Sequence, residues 1–147
     1  MGASLQWREP PDREARAFGR MIEFGGRTER ASGYLSYSER IGPGVVVCVG
    51  EAGDPSSYEG LAHALTAEGF TVVVVGGDGA AAAASHLRDN WHPRLGLIAL
   101  PGASSALGDI EGLDAIVAYG AELDAAVPAA ADLEFDELVD FLRYNLS

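Results

Sequence analysis

The sequence predicts a three-layer α/β/α fold, with a mostly parallel sheet and an antiparallel hairpin at its N-terminal side. Three observations carry that expectation. Short continuous apolar runs, "GVVVCVG" and "TVVVVGG", mark strands buried on both faces, as parallel sheets require. Helical patterns with turn signals separate these runs, giving the strand–helix–strand rhythm of an α/β domain. Ahead of them, "RMIEFGG" and "RASGYLSYS" alternate apolar and polar residues around "GGRTE", the signature of a hairpin.

Taken in order, residues 1–18 are polar, with Pro10-Pro11 and mixed charges, and read as a flexible arm with at most one helical turn from Asp12 to Phe18. Residues 19–147 read as a single domain. After the hairpin, "RIGPGVVVCVGE" is a buried strand. In "GDPSSYEGLAHALTAEGF", Asp54 is placed to N-cap and Pro55 fits the first helical position. Tyr58, Leu61, Ala62 and Leu65 then share one helical face, and Gly69 is the stop. "TVVVV" is the next strand, and "GGDGAAAAASHLRDNW" a glycine turn entering an alanine-rich helix. "RLGLIAL" and "DAIVAYG" are two more parallel strands. "DLEFDELVDFLRYNLS" is an amphipathic helix whose apolar set is Phe135, Leu138, Val139, Phe141, Leu142 and Leu146.

The chain has 147 residues and a formal net charge of −12. All ten basic residues are Arg. Residues 1–40 hold seven Arg against six acids, and residues 41–147 three Arg against sixteen acids. So acidic a body repels nucleic acid and anionic membrane, and neither is expected as a partner. The apolar runs fall far short of the roughly 20 residues of a membrane helix, and the charged start lacks a secretory apolar core. A cytoplasmic location is the default expectation. The single cysteine, Cys48, cannot form an internal disulfide and reads as a small buried strand residue. His63, His86 and His92 have no metal-ligand spacing, so no metal and no cofactor is expected. Two glycine-bearing turns before helices, at 50–57 and 76–83, offer N-terminal anion sites, but Asp54 and Asp78 oppose a phosphate there.

The order of hairpin, "VGEAG", capped helix, "TVVVV", "RLGLIALPGA" and "DAIVAYG" resembles the dienelactone hydrolase branch of the α/β-hydrolases, from about Met21 to Gly120. The resemblance implies a minimal α/β-hydrolase-like fold. It puts Glu51 where the family has a Glu after its first parallel strand, and Gly50 where the family has a neighbouring His. It puts Pro101, between Ala99 and Ala103, at the family's nucleophilic Cys, and proline has no nucleophilic atom. The family's Asp and His follow later. The 27 residues after Gly120 include no His, and offer only Asp124, Asp132, Asp136 and Asp140 for the Asp. A triad needs its base within hydrogen-bond reach of the nucleophile. The resemblance therefore implies the scaffold without the family's reaction: a shortened, non-catalytic binding or assembly protein of the pseudoenzyme kind.

The alternative is a small ester or lactone hydrolase with a rebuilt site. "GASSA", Gly102 to Ala106, offers a shifted small-x-Ser-x-small turn with Ser104 at its tip and Glu51 as a lone general base. The same turn also reads as a helix start capped by Ser104 or Ser105. For a small-molecule ligand, the expected pocket is Glu51, Tyr58, Pro101, Gly102 and Tyr119. Relative to the family, the block after "AYG" is short, which leaves the strand at Asp114–Gly120 as a sheet edge. Either "AELDAAVPAAADLE" covers that edge, or a second copy or partner chain does, which gives the expectation of a homodimer or a heteromer.

Overall fold

The computed structural model describes residues 18–24, 31–37, 42–49, 58–76, 80–90, 94–100, 113–119, 129–131 and 133–146. The elements run β1 (Phe18–Phe24), β2 (Ala31–Tyr37), β3 (Gly44–Cys48), α1 (Glu59–Ala67), β4 (Thr71–Val75), α2 (Ala80–Asn90), β5 (Leu95–Ala99), β6 (Ala115–Ala118), β7 (Ala129–Ala131) and α3 (Phe135–Leu146). Among the described residues these strands form one seven-stranded sheet in the order β1-β2-β4-β3-β5-β6-β7.

The hairpin forms as its alternation predicts. β1 pairs antiparallel with β2, from Phe18 opposite Tyr37 to Phe24 opposite Ala31. β2 then joins β4, also antiparallel, with Tyr34 opposite Val74. From β4 to β7 every pairing is parallel. The valine runs sit at the centre because only a strand covered on both faces can be apolar at every position.

Strand alternation divides those side chains between two cores. Val45, Val47, Val49, Val72, Val74, Ile98, Leu100, Val117 and Tyr119 meet α1 and α3 on one face. Val46, Cys48, Val73, Val75, Leu97, Ala99, Ile116 and Ala118 meet α2 on the other. The three layers follow from that division.

The helix after β3 is regular from Glu59, with Tyr58 at its N-cap and no side-chain cap bond. Asp54 and Pro55, expected to start it, lie outside the described residues. Its end is as expected: Gly69 has φ +106°, a left-handed conformation that glycine adopts without strain. At the start of α3, Glu137 accepts a hydrogen bond from the backbone N–H of Glu134 at 3.2 Å, half of a capping box. Leu138, Val139, Leu142 and Leu146 are its buried face, with Phe135 and Phe141 partly buried beside them.

One element was absent from the sequence expectation. β7 pairs parallel with β6, Ile116 opposite Ala129 and Ala118 opposite Ala131. The strand at Asp114–Gly120 is therefore not an edge. Of the two covers considered, the chain's own segment supplies one, and the outermost strand on that side is β7. No helix among the described residues is long and apolar enough to cross a membrane.

Candidate functional site

The route of the chain through the sheet selects one place for a site. From β3 it passes through α1 to β4 on one side, then through α2 back across β3 to β5 on the other. The first crossover runs from β3 to β4 and the second from β4 past β3 to β5, in opposite directions, so their helices lie on opposite faces. Among the described residues no crossover leads from the carboxyl end of β3 to its neighbour β5. In open α/β sheets this switch point is where ligands bind.

The backbone at that end is held rung by rung. Val49 N–H donates to Val75 O at 2.9 Å, Leu100 N–H to Cys48 O at 2.9 Å, and Tyr119 N–H to Ala99 O at 2.8 Å. Glu51 follows Val49 by two residues, Pro101 follows Leu100 directly, and Ser104 comes three residues later. Glu51, Pro101, Gly102 and Ser104 all lie outside the described residues, but the strands that launch them are neighbours in perfect register, Cys48 opposite Ala99.

Tyr58 and Tyr119 are described, and the fold brings both to the α1/α3 face. Tyr58 is half-buried against the apolar cluster that contains Tyr119. Tyr119 is only 1% exposed, and its phenol donates to Leu133 O at 2.6 Å. Its hydroxyl is thus engaged by the chain entering α3, and the buried residue is no open contact for a ligand.

The described histidines stand elsewhere. His63 is on α1, where its Nε2 lies 2.6 Å from the Tyr34 hydroxyl of β2, with the two rings edge to face at 5.5 Å. Burial, then the charge of Glu59, push the Tyr34 phenol above its usual pKa. His86 is half-buried in the second half of α2, toward the amino ends of the strands. His92 lies outside the described residues. Among the described residues no three His, Cys, Asp or Glu side chains gather as metal ligands. Cys48 is fully buried on the α2 face.

The Tyr34–His63 contact was not anticipated. The hydroxyl of Tyr34 needs a partner when its ring packs against a core, and alternation places Tyr34 on the α1 face. That much was available in the sequence. Which residue of α1 would meet it was not.

No protein-family model and no curated protein matches the chain. Solved structures do. The fold is similar to that of a dienelactone hydrolase-like promiscuous phosphotriesterase from metagenomic libraries, with a TM-score of 0.60 and 17% identity over 88% of this chain and 77% of that one. It is similar to a cold-adapted esterase from an Arctic intertidal metagenomic library, with a TM-score of 0.57 and 11% identity over 97% of this chain and 100% of that one. It is also similar to the esterase domain of a Rhodothermus marinus protein, with a TM-score of 0.54 and 18% identity. The chain spans about half of that domain, 51%. At these identities the likeness establishes the fold alone: an α/β sheet similar to that of these α/β-hydrolase structures.

Proposed function

We propose that the chain is a small hydrolase acting on ester or lactone bonds, with its reaction centre in the crevice between the carboxyl ends of β3 and β5. The observation that supports this most is the switch point, because the two segments with candidate chemistry, Glu51 and Pro101–Ala106, both leave the sheet there. Esterases and a dienelactone hydrolase-like enzyme share the fold, including a chain matched over its whole length.

In this reading Ser104 is the nucleophile. Its Oγ bonds to the substrate carbonyl carbon while its proton passes to the Glu51 carboxylate. The alcohol leaves with that proton as the C–O bond breaks. Water then attacks the acyl-serine, its proton again taken by Glu51, and releases the acid. The Ser104 oxygen takes a proton back and the cycle closes. A carboxylate is a weaker base than an imidazole near neutral pH, so turnover is expected to be slow.

The test is intact mass after incubation with a fluorophosphonate ester, in which Ser104 Oγ forms a bond to phosphorus and fluoride leaves. A one-adduct shift in the wild type that is lost in Ser104→Ala supports the reading. A folded wild type that takes no adduct overturns it.

A second reading is favoured by one observation. Proline stands at the expected nucleophile position, and His63, on α1, is turned to Tyr34. In this reading the scaffold is a non-catalytic binding or assembly subunit, with Glu51 and Tyr58 facing a small ligand. Self-association would then use the outer side of β7, since β6 is covered. Sedimentation of the purified chain at micromolar concentration tests that part, and a monomer removes it.

A further inference from the structure

We infer that β1 is a self-association edge: two copies of the chain join β1 to β1, antiparallel about a two-fold axis at Met21, and each brings its Glu23 to the Tyr34–His63 pair of the other. This holds whichever reading of the crevice is right, and against the second it puts the contact on β1 rather than β7. Among the described residues the outer strands of the sheet are β1 and β7. β7 has three residues, all alanine. β1 has seven, holds no proline, and pairs with β2 residue for residue without a bulge. Shortness, proline and bulges are the usual ways to blunt an open edge, and β1 has none of the three. Its middle residue, Met21, is 60% exposed, one of two large apolar side chains so exposed among the described residues.

Symmetry and charge fix the register. A two-fold axis normal to the sheet keeps each side chain on its own face, so it lies between one residue and the same residue of the second copy. Only an axis at Met21 pairs all seven residues of the strand. An axis at Arg20 or Glu23 would also set like charges directly opposite, which destabilises a strand pair. With the axis at Met21, Gly19 of one copy faces Glu23 of the other. Both lie on the face of Tyr34, because Met21 is opposite Tyr34. Tyr34 leans along this ladder, and a β-carbon on Gly19 would run into its hydroxyl. The phenol oxygen therefore lies over Gly19, where the second copy's glutamate arrives. Opposed positions stand about 5 Å apart, within reach of a glutamate side chain. His63 Nε2 is 2.6 Å from the hydroxyl. With the proton on Nε2 the imidazole donates to the phenol oxygen, which frees the O–H to donate to the Glu23 carboxylate. Burial, then the charge of Glu59, keep that phenol protonated and so a donor. The two-fold axis makes the contact twice.

The test is disulfide trapping. Cys48, the one native cysteine, is fully buried, so the wild type is the blank. Met21→Cys puts two thiols at the axis. Glu23→Cys puts them four positions apart along the strand, about 14 Å, beyond the roughly 7 Å that a disulfide can span. Mild oxidation of the folded variants should give a covalent dimer from Met21→Cys, and none from Glu23→Cys or the wild type. No covalent dimer from Met21→Cys overturns the inference. So does an equal yield from Glu23→Cys, which would mean chance collision or another register. A dimer from Ala130→Cys alone moves the contact to β7 and overturns it too. Sedimentation without oxidation tests the polar contact, at a salt concentration that screens the acidic bodies from each other. The wild type should be dimeric at micromolar concentration. Glu23→Gln and Tyr34→Phe should each raise the dissociation constant about tenfold, and the double variant should be no weaker than the weaker single one. A monomeric wild type overturns the inference, and a dimer that neither substitution weakens overturns the part given to Glu23 and Tyr34.

Discussion

At the amino ends of the parallel strands the chain is pinned by side chains. Asp114 accepts a hydrogen bond from Leu95 N–H at 2.9 Å and pairs with Arg94 at 3.3 Å, while its own N–H donates to Leu95 O at 2.7 Å. Arg143 of α3 bridges to Glu68 at the end of α1, on its carboxylate at 2.7 Å and on its carbonyl at 3.0 Å. Among the described residues the carboxyl ends carry the backbone rungs of Val49, Leu100 and Tyr119 and the Tyr119 hydroxyl bond. Connection lengths follow the same division: three residues lead from α1 into β4, but ten lead from β3 out to α1. A short, cross-braced end suits a scaffold, and an end with a long connection suits a site, because loops carry function where a rigid frame positions them. The contrast can be broken or sharpened by substitutions chosen on the braced side.

The largest effect is expected from Leu142→Ala. Leu142 is fully buried on α3, against Gly96 of β5, where even a β-carbon would come within 3.1 Å of its side chain. So close an approach leaves no slack for the helix to settle into a cavity. The loss should be about 2–5 kcal/mol, read as the shift in a urea unfolding transition. A loss below about 1 kcal/mol would mean that α3 slides to refill the space.

Next comes a pair of substitutions at one joint. Asp114→Ala leaves the Leu95 N–H without its acceptor and should cost about 1–3 kcal/mol. Arg94→Met removes the exposed ion pair and should cost about 0–1 kcal/mol, a difference that shrinks further in high salt. Equal costs would show that the ion pair, not the backbone bond, is what braces this end.

How legible these parts were in the sequence depends on the physics that made each one. The valine strands announced themselves because burial on both faces forbids polar residues at any position, and the hairpin because one covered face imposes alternation. Gly69 was readable as a helix stop because few residues tolerate its backbone conformation. β7 was not readable. Ala129–Ala131 has none of the branched or aromatic residues that favour strands, and it pairs only because β6 offers an open side. The start of α1 expected at Asp54 and Pro55 falls outside the described residues, and the described part of the helix begins at Glu59. The site was legible as chemistry but not as contact. Ser104 could be singled out by its place among small residues, and Glu51 and Tyr119 by the resemblance of "VGEAG" and "AYG" to the family's pattern. That the Tyr119 phenol is committed to Leu133 depends on where α3 enters, fourteen residues later, which no local pattern encodes.

The smallest effect expected is one of pH, and it belongs to the joint between hairpin and helix. In the folded chain burial and the nearby Glu59 carboxylate both disfavour the Tyr34 phenolate, so the folded pKa lies above the unfolded one. Below the unfolded value, about 10 for tyrosine, both states hold the proton and the group adds no slope. As pH rises past that value, the unfolded chain loses the proton first. Protons bound are then fewer in the unfolded state, and stability falls until the folded phenol also ionises. The contribution is therefore complete below about pH 10 and lost as pH rises through the folded pKa. Tyr34→Phe should flatten the alkaline limb of a stability-against-pH curve while lowering the neutral plateau slightly, through the lost bond to His63. An alkaline limb unchanged by the substitution would assign that slope to other tyrosines. A neutral plateau unchanged by the substitution would mean that the Tyr34–His63 contact joins hairpin and helix by packing alone.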